Sequence, residues 1–137
     1  MDEVGYLNEG WNYGMDYDYW IRISKKYELY LIEDHLANTR VYANTKTFGE
    51  PEKVHKELLR IIASHYETVS SSWIYAYAHA KLRKHKRGTK WSEFTFRIRI
   101  IFITLPLFFK HNGKVPKEDL KMLWGWLKGS FLSLFRI

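Results

Sequence analysis

The sequence predicts a short α/β segment followed by a mainly α-helical extension. Residues 27–33 alternate between two sets of side chains, as the two faces of a strand do. From Pro51 onward, apolar residues instead recur at every third or fourth position, which is the period of helices with one buried face. Charge changes at the same point: residues 1–50 hold 5 Lys and Arg against 9 Asp and Glu, whereas residues 51–137 hold 17 against 6. We therefore expect an acidic part and a basic part that join after residue 50.

The first part is predicted to contain a loop, a helix and strand structure. Residues 1–14 are rich in Gly and Asn, which is typical of loops. Residues 15–26 are predicted to form a helix, because apolar side chains have helical spacing, aspartates lie in the first turn and lysines lie in the last. Residues 27–33 are predicted to form a largely buried strand, and residues 35–41 are either a second strand or its continuation.

The second part is predicted to consist of four helices. The first starts near Pro51, the second covers 71–85 and the third covers 91–109, where Pro106 should kink or end it. The last begins near Pro116, since proline favours the first helical position. The apolar faces assigned to them are Val54, Leu58, Ile61, Ile62 and Val69; then Ile74, Tyr77, Ala78 and Leu82; then Phe94, Ile98, Ile101, Phe102 and Leu105; and finally Leu120, Leu123, Trp124, Leu127, Phe131, Leu134 and Phe135.

Composition excludes several classes of site. The chain has no Cys, which excludes disulfides, Cys-based zinc sites and a Cys nucleophile. Its six His residues have no spacing typical of a metal centre. The longest apolar run, residues 100–109, is half of the ~20 residues that a membrane-spanning helix needs. No signal peptide is evident, so the expected location is the cytoplasm, with peripheral attachment to the inner face of the plasma membrane left open.

An ordered series of short motifs lies between Gly5 and Thr47. Its pieces are GYLNE from Gly5, MDYDYWIR from Met15, LANTR ending at Arg40, and Lys46-Thr47. Together they resemble the end of the catalytic domain of family 2 glycosyltransferases of the inverting, GT-A type. The resemblance implies that the α/β part is the end of such a domain, on the side that receives the acceptor.

The resemblance also implies roles for individual residues. Asp16 occupies the position of the base that accepts the proton of the acceptor hydroxyl. Met15 stands where the family has Glu, and Tyr42 stands where it has His, so no phosphate or metal role is assigned to Tyr42. Each assignment has an alternative interpretation. The aspartates could simply stabilise the start of the helix through its dipole, the Trp could be a packing residue, and the arginines could form structural ion pairs. The residues assigned to the acceptor or to support of the site are Glu9, Asp18, Trp20, Arg22 and Arg40.

The family's donor site has no counterpart in this sequence. Such a site uses an N-terminal βαβ unit and an Asp-x-Asp that holds a divalent cation, Mg or Mn, against the nucleotide sugar. The Asp-x-Asp formed by Asp16 and Asp18 lies in a predicted helix and matches the later motif instead. The chain is therefore expected to hold no cofactor itself and to be inactive alone. Its expected partners are the missing N-terminal nucleotide-binding half, a glycan or lipid-linked acceptor and an anionic membrane surface.

A non-enzymatic, membrane-associated helical module is the alternative interpretation. The final helix places Trp124, Phe131 and other aromatic residues beside Lys128, so it could lie in a membrane interface or pack on its neighbours. The basic stretch 81–90 has no interleaved aromatics, so a solvated or lipid-facing helix end is favoured there, and nucleic acid is not an expected partner.

Overall fold

The computed structural model describes residues 3–38, 45, 49–85 and 87–135. The chain divides into two compact units, Met1–His65 and Tyr66–Ile137. None of the described helices is long and apolar enough to cross a membrane. The helices are α1 (Met15–Ser24), α2 (Pro51–His65), α3 (Ser71–Lys81), α4 (Lys90–Asn112) and α5 (Lys117–Phe135).

The predicted α/β fold is wrong, because the described residues contain helices but no strand or sheet. Residues 27–38 form neither a helix nor a strand. Tyr30 and Leu31, which belong to the predicted buried strand, have side chains that are 82% and 88% exposed. Alternation marks which side chains could share a face, but a strand also needs a partner for its backbone hydrogen bonds. This segment has no such partner in the described chain. The rest of the second predicted strand, beyond Asn38, lies outside the described residues.

In the first unit, α1 packs against α2. Ile21 of α1 is buried, as are Val54, Leu59, Ile61 and Ile62 of α2. This unit ends with α2, at His65.

The start of α1 is held by a carboxylate from α2. Its N-cap residue, Gly14, has no side chain with which to accept a hydrogen bond. Glu57 Oε1 instead accepts hydrogen bonds from the backbone nitrogens of Tyr13, at 2.6 Å, and Gly14, at 3.0 Å. An added Cβ at Gly14 would lie 2.7 Å from Ile61 Cδ1, so the close approach of the two helices depends on this glycine. The position of α1 is therefore set by both a charge and a steric fit.

In the second unit, α3 and α5 pack on α4. The core of α4 is one row with a spacing of four residues, Phe96, Ile100, Thr104 and Phe108, and each is at most 6% exposed. The predicted face of α4 is wrong: Phe102, which belongs to it, is 75% exposed. Because α4 is apolar on nearly every side, helical spacing alone was compatible with either face.

Both ends of α4 have clear local signals. Thr89 and Ser92 form a capping box, in which each side-chain oxygen accepts a hydrogen bond from the other's backbone nitrogen. Gly113 ends the helix with a φ of 69°, which favours glycine. Pro106 does not end the helix as one alternative predicted. Pro106 cannot donate to the carbonyl of Phe102, but that part of the helix is exposed and water can satisfy the carbonyl.

The apolar face predicted for α5 is only partly buried. Leu123 is 4% exposed, but Trp124, Phe131 and Phe135 are 69%, 53% and 71% exposed. The buried side of the helix includes Asp119, whose Oδ2 accepts a hydrogen bond from Ser71 Oγ at 2.6 Å. A polar contact therefore helps to fix the rotation of α5, and it turns much of the aromatic stripe outward.

Candidate functional site

Helix α1 presents a carboxylate and an aromatic ring on one exposed face. Asp16 is exposed in the first turn, and Trp20 is 63% exposed one turn later. Residues four apart are neighbours on a helix surface, so the two side chains lie side by side. Asp16 Oδ1 accepts a hydrogen bond from the backbone nitrogen of Tyr17 at 2.8 Å, and no ion pair to Asp16 occurs in the described parts of the chain. This carboxylate is accessible to a ligand.

Asp18 has the opposite environment. It is 4% exposed, and both of its oxygens are occupied: Oδ2 accepts from Arg22 Nε at 3.0 Å, and Oδ1 lies 2.7 Å from His65 Nε2. Burial by itself raises the pKa of Asp18, but the hydrogen bonds from His65 and Arg22, together with their charges, lower it further than burial raises it. Asp18 is therefore an ionised carboxylate that joins α1 to the end of α2.

Arg22 extends this contact to the glycine loop. Its Nη2 donates to the backbone oxygen of Tyr6 at 2.7 Å, and its Nη1 donates to the backbone oxygen of Val4. Gly5 lies between these two carbonyls with a φ of 76°, which favours glycine. The guanidinium also lies 5.2 Å from the ring centroid of Tyr19. The first two motifs of the sequence are thus held together by a single arginine.

An open pocket of about 520 Å³ lies beside these contacts. Trp11 is one of its lining residues, and the indole nitrogen of Trp11 is buried without a hydrogen-bond partner among the described residues. Asn8 Oδ1 accepts from the backbone nitrogen of Gly10 at 3.0 Å, which shapes the loop at the pocket's edge. The residues that line the pocket are Gly5, Tyr6, Asn8, Trp11, Asp18, Arg22, Ser64 and His65.

Several residues near the site were not identified from the sequence. His65 and Ser64 come from the end of α2, and Glu57 from its middle, more than 40 residues after the motifs that they support. No local pattern connects residues so far apart. Of the residues that the sequence did assign, Glu9 is exposed in the loop before α1, and Arg40, like Tyr42, lies outside the described residues.

The two aspartates of α1 do not fit a divalent-cation site. Side chains two residues apart on a helix point about 200° apart, so Asp16 and Asp18 face nearly opposite directions. Both oxygens of Asp18 are already engaged. Among the described residues, no group of three or more His, Asp or Glu side chains could hold a metal ion.

Comparison with known proteins found no similarity. No family model matches the chain, and neither a curated protein nor a solved structure matches it. The case for a function therefore depends on the geometry of α1 and its surroundings.

Proposed function

We propose that this chain provides the acceptor side of an inverting glycosyltransferase, which moves a sugar from a nucleotide sugar to a glycan or lipid-linked acceptor. The observation that carries the proposal is the pairing of Asp16 with Trp20 on the exposed face of α1. An accessible carboxylate can accept a proton, and an adjacent indole offers a flat apolar surface against which a sugar ring can stack.

The two aspartates have different roles in this proposal. The oxygen of the acceptor hydroxyl attacks the anomeric carbon of the donor from the side opposite to the leaving group. The bond from that carbon to the diphosphate oxygen breaks, and the nucleoside diphosphate leaves with the electron pair. The proton of the hydroxyl passes to a carboxylate oxygen of Asp16. Asp18 is a positioning residue, because its oxygens bind Arg22 and His65 and so hold α1 in place.

The donor nucleotide is assigned to a part of the enzyme outside the described residues. Neither the α1 aspartates nor any other described cluster offers a cation site that could hold its diphosphate. The proposal therefore includes a nucleotide-binding half as the partner of this chain and expects no transfer without it.

The same proposal locates the enzyme in the cytoplasm, at the inner face of the plasma membrane. A lipid-linked acceptor would present its sugar at that surface. Support comes from the charge of residues 66–137, which hold 14 Lys and Arg against 4 Asp and Glu. Basic segments are attracted to the anionic lipids of the cytoplasmic leaflet.

The test is a turnover assay on the native protein, purified with all of its parts. Donors are uridine-, guanosine- and thymidine-diphosphate sugars, the acceptor is a lipid extract of the source cells, and release of the nucleoside diphosphate is measured. Asp16→Asn should lower kcat by about 100-fold or more, since it removes the base. Its thermal midpoint should fall by no more than a few degrees, because Asp16 is exposed and its replacement removes only a favourable interaction with the helix dipole.

Asp34→Asn is the matched control. Asp34 is also an exposed carboxylate, but it lies in the segment after α1, so its replacement should leave kcat unchanged. Activity of Asp16→Asn within a few-fold of the unsubstituted protein would refute the role of Asp16. Failure of the native protein to release a nucleoside diphosphate from any donor would refute the proposed function.

A further inference from the structure

Helix α5 carries an exposed strip that combines aromatic and basic side chains. Trp124, Phe131 and Phe135 are 69%, 53% and 71% exposed, and their helical spacing places them on one side. Lys121 and Lys128 lie on the same side, three or four residues from Trp124 or Phe131, and Lys117 continues that side one turn before Lys121. The complete strip is Lys117, Lys121, Trp124, Lys128, Phe131 and Phe135.

The strip continues onto α4 through ring contacts. The ring of Phe131 lies 6.4 Å from that of Phe94 and 5.0 Å from that of Phe135, and Phe94 lies 5.7 Å from Trp91. Between the helices is a groove of about 310 Å³ with almost entirely apolar walls. The rings of Trp91, Phe94, Trp124, Phe131 and Phe135 thus form one continuous patch, which we call the aromatic surface.

The aromatic surface is not a loosely packed part of the core. The core of this unit lies on another side of α4, where Ile100 and Phe108 are 1% and 0% exposed. Leu123 completes it from α5 with 4% exposure. Since these core residues lie on a different side of α4, the exposed rings are available to something outside the unit. Contiguous exposed apolar patches on folded units mark interaction sites.

The charge around the aromatic surface selects among possible occupants. Residues 66–137 have a formal net charge of +10, from 14 Lys and Arg against 4 Asp and Glu. A second copy of the chain would bring two such units together, and their like charges would repel each other. Lysine is also depleted from the centres of protein interfaces, whereas Lys128 lines the groove itself. Aromatic rings bordered by lysines suit the boundary between lipid headgroups and acyl chains.

We propose that the aromatic surface docks on an anionic lipid bilayer. Trp124, Phe131 and Phe135 insert their rings at the level of the headgroups, and the lysines of the strip contact lipid phosphates. The surface lies on the second unit and uses no residue of α1. It therefore does not depend on the sugar-transfer proposal, and Asp16→Asn should bind lipid as the unsubstituted chain does.

The experiment is co-sedimentation of the chain with vesicles. One set is pure phosphatidylcholine, and the other is an equal mixture of phosphatidylcholine and phosphatidylglycerol. Binding to the anionic set should be at least about 10-fold tighter, because each lysine near the surface contributes about 1 kcal/mol. It should weaken strongly when salt is raised to about 1 M, at which charges are screened beyond about 3 Å.

Two sets of substitutions separate apolar insertion from charge. Trp124→Ser with Phe131→Ser should weaken binding by at least about 10-fold, since burial of each large apolar side chain favours the bound state. The matched control is Trp20→Ser, which removes a Trp of similar exposure, 63%, from outside the aromatic surface and should leave binding unchanged. Far-UV circular dichroism checks that each variant remains helical.

The second set of substitutions removes three positive charges, either from the strip or from α2. Neutralising Lys117, Lys121 and Lys128 with Gln should abolish the preference for the anionic vesicles. Replacing Lys53, Lys56 and Arg60 of α2 with Gln changes the net charge by the same amount and should preserve that preference, because α2 lies in the other unit.

Three results would overturn the proposal. The first is the absence of binding to either set of vesicles. The second is equal binding by the Trp124→Ser, Phe131→Ser variant and the unsubstituted chain. The third is a lipid-free dimer, seen by analytical ultracentrifugation, that this variant dissociates, because a second copy would then be the occupant of the aromatic surface.

Discussion

Replacing Asp18 with Asn is expected to destabilise the first unit by about 3 kcal/mol. The carboxylate is 4% exposed and makes charge-assisted hydrogen bonds with Arg22 and His65, each of which contributes about 1.5–3 kcal/mol. Asn keeps the volume of the side chain and one acceptor oxygen, which retains about 1 kcal/mol. Its amide group, however, faces a site built for an acceptor, and the charge of Arg22 loses its partner.

The matched control lies two residues earlier. Asp16 is in the same first turn of α1, so replacing either aspartate removes the same favourable interaction with the helix dipole. Asp16 is exposed and has no ion pair with the described residues, so Asp16→Asn should cost no more than about 0.5–1 kcal/mol. The difference between the two variants isolates the contacts of Asp18 with Arg22 and His65.

Hydrogen exchange of peptides from α1 and α2, measured in increasing urea, reports the first unit separately from the second. With a urea dependence of about 1–3 kcal/mol per molar, the midpoint of Asp18→Asn should fall by about 1–3 M. Equal midpoints for the two variants would refute the assignment of Asp18 as the residue that joins α1 to α2.

Acid should reproduce the effect of this substitution in the unsubstituted protein. The pKa of Asp18 is lowered from 3.8, so folding favours its ionised form. Its contribution to stability is complete above pH 3.8 and is lost as the pH falls through the lower value of the folded state. The free energies of unfolding of the unsubstituted protein and of Asp18→Asn should therefore converge once the pH is below the pKa that Asp18 has in the folded state. A constant difference down to the point of acid unfolding would contradict the proposed ion pair.

Two further pairs of substitutions test the packing of each unit. Phe108→Ala should destabilise the second unit by about 3–5 kcal/mol, because the side chain is fully buried. Phe109→Ala should destabilise it by less than about 1 kcal/mol, because Phe109 is 60% exposed. Equal losses of stability in thermal melts would contradict the observed buried face of α4. Gly14→Ala should destabilise the first unit by about 1–3 kcal/mol, because the added Cβ would meet Ile61 of α2. Gly125→Ala should instead stabilise α5 by about 0.5–1 kcal/mol, because nothing lies within 4 Å of the added Cβ. Urea titrations would show whether the two substitutions change the free energy of unfolding in opposite directions.

Local signals in the sequence were sufficient to predict most helices. The predicted helix at 15–26 is confirmed as Met15–Ser24, and the helix expected near Pro116 begins at Lys117. These boundaries depend on acidic first turns, proline positions and caps, which act over a few residues and are visible in the sequence. The motif residues of α1 are also close in sequence, and helical spacing alone puts Asp18 one turn from Arg22, with which it forms an ion pair.

Local signals could not determine whether residues 27–33 form a strand, or which faces of α4 and α5 are buried. Alternating residues form a strand only if another segment completes their hydrogen bonds, and the described chain supplies none. A helix that is apolar on several sides can bury any of them, so contacts with α3 and α5 selected the Phe108 side of α4 and left Phe102 in solvent.

Some features of the candidate site likewise follow from local sequence, and others follow from tertiary packing. The sequence by itself determined which residues share α1, because the signals that begin and end this helix are local. Once the helix is established, its regular geometry puts Asp16 and Trp20 one turn apart. Only the tertiary structure decided that Asp18 is buried against His65, that Glu57 caps α1 and that Asp16 remains open. Those outcomes depend on a helix more than 25 residues further along the chain, and packing between distant segments is not encoded in the spacing of either one.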